Sequence, residues 1–153
     1  MGAMLDRMRR VIAGEDDGTA IPRIPPPIAT LLGLELIAVD AGTARVTLEA
    51  GERHHNPMGA LHGGVLCDLA DLAMGIALGT LFDGDEVFTT VELKMSFVRP
   101  VREGRLQADA RVVHRGRTLS LVECDVTGPD GKLVARAGST LMVVGAAGTS
   151  TGG

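Results

Sequence analysis

The chain has few aromatic side chains: it contains no Trp or Tyr and three Phe residues among 153 residues. Aromatic platforms that stack on nucleic-acid bases are therefore not expected. Positive charge is also in short supply, because the formal net charge is −4 at pH 7, and a protein that binds a phosphate backbone needs an excess of Lys and Arg. Both shortages argue against a nucleic-acid-binding protein, although a local Arg cluster is still able to hold a small polyphosphate.

Cysteine is equally scarce. Cys67 and Cys124 have neither the spacing of a metal site nor the number needed for a disulfide framework. No apolar run reaches the length that spans a bilayer, and the first residues lack the hydrophobic region of a signal peptide. We therefore expect a soluble, cytoplasmic protein.

Apolar residues, by contrast, make up 45% of the chain, which is enough to bury the core of one domain. The expected organisation has three parts. Residues 1–33 combine an amphipathic helix over residues 3–13 with the Pro-rich connector "IPRIPPPIAT". Residues 34–144 form the main domain, and the small residues of 145–153 form a flexible tail.

Alternating apolar residues predict six strands. "LELIAVD" and "ARVTLEA" form a hairpin, and four further candidates follow residue 85, the last two joined by the turn "GPDGK". Two of these strands predict a buried face from Val91, Leu93, Met95 and Phe97 and from Leu106, Ala108, Ala110 and Val112. We expect two strands, one long helix and a four-strand meander, in an α+β fold whose antiparallel sheet curls around the helix.

The one long helical pattern runs from His62 to about Leu81, and its apolar residues cover most of the circumference, which predicts near-complete burial. Gly75 and Gly79 favour close packing of this helix. Asp68 and Asp71 need a different explanation, because a buried carboxylate is paired, protonated or catalytic. The alternative for each acid is an inert position at the edge of the helix.

The start of the same helix, "MGALHGG", offers backbone N–H groups at Gly63 and Gly64 that favour an anion or an oxygen acquiring negative charge. Gly63 and Asp71 lie eight residues apart, hence roughly 12 Å along the helix axis. One helix therefore cannot bring both groups to one reacting carbon. Two antiparallel copies related by a twofold axis can, which predicts a homodimer with two cross-subunit sites.

Three stretches, "NPMGALHGGVLCDLAD", "TTVELKMSFVRPV" and "GRTLSLVECDV", resemble the hotdog-fold acyl-CoA thioesterases of the PaaI-like (phenylacetate-degradation) group. The resemblance covers about Leu34 to Val144. It implies a hotdog thioesterase domain, with a long central helix wrapped by a six-stranded antiparallel sheet, in a homodimer that often assembles further into tetramers.

The same resemblance implies the site residues. The family's helix acid aligns with Asp71 rather than Asp68, and its polarising amide with Gly63. Its loop Asn, which holds substrate or orients water, aligns with Asn56, and its strand Ser or Thr, which helps to position the water, aligns with Thr90. His62 is expected to cap the helix and shape the loop, with a catalytic role as the alternative. Asp71 then acts as the base on water or attacks the thioester itself, and the two routes stay open.

For the coenzyme A moiety, the resemblance implies a basic Gly-x-Thr segment at Arg115, Gly116, Arg117 and Thr118, with Gly64 as a further substrate contact. Arg117 is favoured over Arg115. Arg99 and Arg102 are additional candidates, and for each arginine the alternative is an ordinary surface charge.

A metal site is not expected. His54, His55 and His62 are close in sequence, but no acidic or Cys partner nearby completes a first shell. The family needs no cofactor, since coenzyme A enters as part of the substrate. Cys67 and Cys124 are interpreted as small core residues.

The predicted function is hydrolysis of a small, medium-chain or aromatic acyl-CoA. Its alternatives are a hotdog enoyl-CoA hydratase or dehydratase, for which nothing after Asp71 supplies a helix His, and a non-catalytic acyl-CoA-binding protein. The acyl pocket is expected to involve the N-terminal segment, residues 75–81 and the partner subunit. The identity of the acyl group and the choice between dimer and tetramer stay open.

Overall fold

A computed structural model describes residues 2–146, which form an α+β fold with one six-stranded antiparallel sheet. A 3₁₀ turn, Glu52–His54, precedes the long helix. The helices are α1 (Ala3–Ile12), α2 (Pro27–Leu32) and α3 (Gly63–Gly79), and the strands are β1 (Leu34–Asp40), β2 (Thr43–Ala50), β3 (Glu86–Phe97), β4 (Gly104–Arg115), β5 (Leu119–Thr127) and β6 (Leu133–Ala146).

The sheet wraps around α3, as the sequence predicts. The second half of the helix is buried from Ala73 through Gly79, whereas its first half keeps Asp68 exposed. The facing strands contribute alternate side chains that are fully or almost fully buried, namely Val46, Leu48, Leu106, Ala108, Val122 and Val126. Burying a Val or Leu side chain stabilises a fold by about 1.5–3 kcal/mol, so these side chains stabilise the packing of the sheet against α3.

The expected four-strand meander is wrong in one respect. β4, β5 and β6 do follow one another, but β3 pairs with β6 at the far edge of the sheet, and the order is β1-β2-β4-β5-β6-β3. The connection 98–103 therefore carries the chain across the sheet instead of around a hairpin. An alternating pattern determines which face of a strand is buried but not which strand lies beside it, so the sequence did not reveal this crossover.

β3 also corrects the predicted buried face of that strand. Val91 is 58% exposed and Phe97 is 57% exposed, while Leu93 and Met95 are half-buried. The register shifts between Thr90 and Glu92, so Val91 has no partner residue in β6. Such a bulge re-aims the side chains that follow it, and the outer edge of β3 has no neighbouring strand within the sheet.

The N-terminal segment packs against the main domain. Leu5 and Met8 of α1 are buried, and the Arg7 guanidinium donates hydrogen bonds to the carbonyl oxygens of Ala20 and Pro22, both at 2.8 Å. The connector is thereby tied back to α1. α2 then ends at Gly33, whose φ of 79° is left-handed and is adopted readily by glycine.

At the other end of the chain, β6 continues to Ala146, two residues past the predicted end of the main domain. Of the predicted tail 145–153, residues 147–153 lie outside the described part of the chain. Within residues 2–146, none of the helices is both long and apolar enough to cross a lipid bilayer.

Candidate active site

The N-terminus of α3 is organised by His62. This residue is the N-cap, and its Nδ1 accepts a hydrogen bond from the Gly64 backbone N–H at 2.9 Å. An accepting Nδ1 requires the tautomer that carries its proton on Nε2. His62 therefore has the capping position expected for it, and the amide of Gly64, a predicted substrate contact, is engaged by the cap.

Gly63, the first residue of α3, keeps its backbone N–H available: no acceptor for it is found among residues 2–146. The Phe97 ring lies directly against this position, because a Cβ added to Gly63 would be 3.0 Å from Phe97 Cζ. Gly63 lines a cavity of ≈ 390 Å³, which we call the helix-start cavity. Asn56, Ala60, Leu61, Gly63, Leu66, Phe97, Val98, Arg99, Pro100 and Val101 line it.

Asn56 shapes the loop in front of α3. Its Oδ1 accepts hydrogen bonds from the backbone N–H groups of Met58 at 3.0 Å and Ala60 at 3.1 Å. The backbone N–H of Asn56 donates to the Ala60 carbonyl at 2.7 Å. The carbonyl side of the amide is thus occupied by the loop. Its NH₂ group finds no acceptor in the described part of the chain, so Asn56 can offer a donor in the cavity that Gly63 also lines.

Asp71 lies two turns further along α3 and is half-buried. Thr90 Oγ1 donates a hydrogen bond to Asp71 Oδ1 at 3.2 Å. Burial raises the pKa of the Asp71 carboxyl group above its ordinary value, the Thr90 hydrogen bond lowers it, and the negative charge of Asp68 raises it further. Asp68 itself is exposed. The structure therefore separates the two helix acids by environment.

Asp71 faces a second cavity, of ≈ 340 Å³, which we call the α1 cavity. Except for Arg23, Asp71 and Glu86, its lining residues are apolar: Met4, Met8, Pro22, Ile24, Pro26, Leu72, Gly75, Ile76, Gly79, Phe82, Val87 and Phe88. Gly63 lines the helix-start cavity and not this one. Within one chain, Gly63 and Asp71 therefore lie on two separate cavities, consistent with their separation of roughly 12 Å along α3.

Gly75 and Gly79 pack closely, as expected, and both also line the α1 cavity. A Cβ at Gly75 would be 3.0 Å from Phe88 Cζ, and one at Gly79 would be 3.1 Å from Met8 Cε. The sequence did not indicate that the Met8 side chain belongs to a cavity shared with Asp71, because helical spacing shows only that α1 buries one face.

The predicted basic segment divides into two parts. Arg115 Nη2 binds Glu86 Oε1 at 2.7 Å, its Nη1 donates to the Gly116 carbonyl, and its guanidinium lies 5.2 Å from the centre of the Phe82 ring. Arg115 is thus already engaged within the fold. Arg117 and Thr118 are exposed in the turn between β4 and β5.

Gly116 is required in that turn, because a Cβ there would be 2.2 Å from the Leu119 carbonyl oxygen. The two other arginines have partners: Arg99 pairs with Asp130 at 3.4 Å, and Arg102 donates to the Gly59 carbonyl at 3.1 Å. Arg117 has no ion-pair partner among residues 2–146. It is therefore the arginine of this set that is best able to bind an external phosphate.

The three neighbouring histidines serve different partners. His54 is buried, and its ring nitrogens contact the Gly51 N–H at 3.2 Å and the Leu32 carbonyl at 2.9 Å. His55 Nε2 contacts the Arg102 carbonyl at 2.7 Å, and His62 caps α3. Within residues 2–146, no three His, Cys, Asp or Glu side chains are grouped so that they could hold a metal ion.

Comparison with known proteins adds a family to this geometry. The sequence profile of the thioesterase superfamily matches residues 58–135, a range that includes Gly63, Asp71 and Thr90. A 1,4-dihydroxy-2-naphthoyl-CoA hydrolase from Listeria monocytogenes is 31% identical over 112 residues, which are 73% of this chain and 91% of that protein.

Solved structures are similar over a longer range. A phenylacetic acid degradation-related protein from Ralstonia eutropha superposes with a TM-score of 0.76 and is 32% identical, covering 90% of this chain and 99% of that one. The PaaI protein of Escherichia coli gives a TM-score of 0.79 at 23% identity and covers 94% and 98% of the two chains. The second likeness is one of fold alone, and the fold is that of hotdog proteins.

Proposed function

The chain belongs to the thioesterase superfamily, and from that premise we propose that it is an acyl-CoA thioesterase. Its substrates are small, medium-chain or aromatic acyl-CoAs, which it cleaves to the free acid and coenzyme A. Support for coenzyme A comes from the similarity to a hydrolase named for an aromatic acyl-CoA. The proposal depends above all on one observation, a half-buried carboxyl group at Asp71 that faces an apolar cavity.

Asp71 is suited to base or nucleophile chemistry. Its pKa is raised by burial, which strengthens it as a base relative to a fully solvated carboxylate. Thr90 holds one carboxylate oxygen, so it acts as a positioning residue that orients Asp71. The other oxygen is then left for water or for the thioester carbon.

Gly63 is suited to the developing oxyanion. Its N–H lies at the start of α3, where the helix dipole favours negative charge, and no protein acceptor among residues 2–146 competes for it. A preorganised donor of this kind lowers the barrier of acyl transfer because it binds the transition state more strongly than the substrate. Asn56, which lines the same cavity, supplies a further donor to substrate or water.

Because Gly63 and Asp71 line separate cavities of one protomer, a complete site requires two copies of the chain. In an isologous dimer with antiparallel α3 helices, Gly63 and Asn56 of one subunit face Asp71 and Thr90 of the partner subunit. The unpaired outer edge of β3 is compatible with such a pairing. Each dimer then has two sites.

The chemistry has two balanced routes. In the first, Asp71 takes a proton from water while the water oxygen bonds to the thioester carbon; the C–S bond then breaks, and the CoA thiolate receives the proton. In the second, the Asp71 carboxylate bonds to the carbon directly and releases the CoA thiolate, and water hydrolyses the resulting mixed anhydride. In both routes Gly63 N–H binds the carbonyl oxygen.

The coenzyme A moiety carries phosphates, and Arg117 with Thr118 forms the exposed end of the β4–β5 turn. We assign the nucleotide phosphates to Arg117, because its charge is free of the ion pairs that hold Arg115 and Arg99. Arg115 then stabilises the turn through its ion pair with Glu86 and its cation–π contact with the Phe82 ring. Neither a cofactor nor a metal ion takes part in this scheme.

Thiol release tests the function. The purified chain is incubated with benzoyl-CoA, phenylacetyl-CoA and straight-chain acyl-CoAs of C4 to C12 in the presence of a free-thiol reagent. We expect release that is lost in Asp71→Asn and retained in Asp68→Asn, since both variants remove one negative charge from α3 but only Asp71 faces the cavity.

Two results would contradict the proposal. Tight binding of these thioesters without thiol release would identify a non-catalytic acyl-CoA-binding protein. Hydration of an enoyl-CoA, measured as the loss of its ultraviolet absorbance, would identify a hydratase instead.

A further inference from the structure

The α1 cavity is closed on one side by a part of the chain that lies outside the superfamily match of residues 58–135. Met4 and Met8 come from α1, and Pro22, Arg23, Ile24 and Pro26 come from the connector that follows it. Together these residues form one wall, which we call the N-terminal wall. The opposite wall belongs to α3 and to the start of β3, with Asp71 among its residues.

We propose that Met4 and Met8 set the upper size limit of an uncharged, apolar acyl group bound in the α1 cavity. This inference rests on the proposed function, since it takes Asp71 as the group that meets the thioester carbon. An acyl group attached to that carbon extends from Asp71 into the same cavity and reaches the side chains of α1.

The N-terminal wall is held in place well enough to impose such a limit. Leu5 is fully buried and Met8 is 4% exposed, so α1 is seated by two side chains on one face. Arg7 fastens the connector through the Ala20 and Pro22 carbonyl oxygens, and Ile24 is 5% exposed. Met8 and Ile24 thus anchor the wall in the packed core, whereas Pro22 and Arg23 of the same wall are exposed.

Met8 has the most direct effect on cavity size. Its Cε lies 3.1 Å from the position that a Cβ at Gly79 would occupy, so this end of the cavity is closed by a methionine side chain against a bare stretch of helix. Methionine is flexible and fills irregular spaces. Met4 is half-buried beside it and lines the same wall.

The charges around the cavity argue for an uncharged acyl group. Glu86 is already paired with Arg115 at 2.7 Å, Asp71 is the reacting acid, and Arg23 lines the cavity as an exposed residue, so it offers no buried charge. The remaining lining is apolar. A charged acyl terminus that entered this space would lose its hydration without gaining a buried partner.

The test measures kcat/KM of the full chain for straight-chain acyl-CoAs from C2 to C16. For the wild-type protein we expect an increase of about fourfold per methylene, the factor for burying one CH₂, up to a limiting length and a fall beyond it. Met8→Ala removes three heavy atoms and should move that limit by about two or three carbons to longer chains. Met4→Trp should move it to shorter chains.

Leu5→Ala is the matched control, because it also truncates a buried side chain of α1 but does not line the cavity. It should keep the wild-type limit, and thermal unfolding should verify that each variant is folded. An unchanged limit in both Met8→Ala and Met4→Trp would overturn the inference, as would the same shift in Leu5→Ala.

The two proposals fail in different ways. Absence of hydrolysis for every acyl-CoA in the wild-type protein would refute the proposed function. Hydrolysis with a length limit that ignores Met4 and Met8 would refute only the role assigned to these two residues.

Discussion

Gly63→Pro removes the one atom that the proposed oxyanion site needs, the backbone amide hydrogen at the first position of α3. Proline is tolerated at this helix position, because no intrahelical bond is lost there. Gly63→Ala is the matched control: it keeps the N–H, while the added Cβ meets Phe97 Cζ at 3.0 Å. Phe97 is 57% exposed, so its ring can move aside in both variants.

We expect kcat/KM of Gly63→Pro to fall about 10²- to 10³-fold below that of Gly63→Ala, which is the usual effect of removing one oxyanion donor. The assay is thiol release from the best acyl-CoA substrate. Circular dichroism and the elution volume in size-exclusion chromatography should be the same for both variants. Equal activity of the Pro and Ala variants would refute a role for this amide.

Mixed dimers then test whether each site uses two chains. Gly63→Pro and Asp71→Asn should each have little activity alone, but a dimer with one chain of each kind has one site with an intact Gly63 and an intact Asp71. Random re-association makes half of the dimers mixed, each with one of two sites restored, so roughly a quarter of wild-type activity should return.

A chain that carries both substitutions provides the control for this experiment. Mixed with either single variant, it cannot form an intact site, and activity should stay at the background level. Failure of the two single variants to complement each other, in a sample shown to contain mixed dimers, would mean that Gly63 and Asp71 serve the site of one chain. A separation of roughly 12 Å along α3 would then need another explanation.

Further predictions concern Asp71 and the two arginines of the β4–β5 turn. Thr90→Val removes the hydrogen bond that lowers the pKa of Asp71, so the acid limb of the kcat/KM–pH profile should move to higher pH; an unmoved limb would contradict the positioning role. Because burial raises the pKa of folded Asp71 above its unfolded value, ionisation of Asp71 destabilises the fold, and stability is lost as pH rises from about 3.8 through the raised pKa. Asp71→Asn should therefore have a higher Tm than the wild type at pH 7, with the difference vanishing at pH 3, as measured by differential scanning calorimetry. Arg115→Ala should lower the free energy of unfolding by about 1 kcal/mol, because it breaks the partly exposed pair with Glu86. Arg117→Ala should leave unfolding unchanged but raise KM for acyl-CoAs and not for acyl-N-acetylcysteamine thioesters; equal effects on both substrates would refute phosphate binding by Arg117.

The architecture was predictable where local patterns carry the information. The alternation through Leu106, Ala108 and Ala110 identified a buried face of β4, and these residues are buried. The broad apolar surface of residues 63–79 identified one central helix. Both patterns are periodic, and periodicity survives in any arrangement of the neighbouring elements.

The place of β3 was not predictable in the same way. Its pairing with β6 is a contact between residues far apart in sequence, and the bulge at Val91 depends on that pairing. Phe97 shows the same limit: its alternation suggested a core residue, whereas the structure places its ring against Gly63. The assignment of such residues requires tertiary neighbours that no window of sequence contains.

Some features of the candidate site were likewise predictable from local sequence, whereas others depend on contacts between distant residues. The available N–H of Gly63 and the capping role of His62 were predictable, because both depend only on the local sequence at the start of a helix. By contrast, the engagement of Arg115 by Glu86 joins residues 29 positions apart, so the sequence favoured Arg117 over Arg115 without revealing that Arg115 is held within the fold. The N-terminal wall was expected only in outline, and Met8 was expected merely as one apolar residue of α1.

The N-terminal wall has an evolutionary consequence. The residues that close the cavity are encoded before codon 27, whereas the helix that carries Gly63 and Asp71 is encoded from codon 63 onward. On the proposed role of Met4 and Met8, recombination or drift in the first stretch would alter which acids are released, while the proposed catalytic residues Gly63 and Asp71 are inherited unchanged. Homologues that share α3 but differ in their N-terminal segments are therefore expected to differ in acyl specificity.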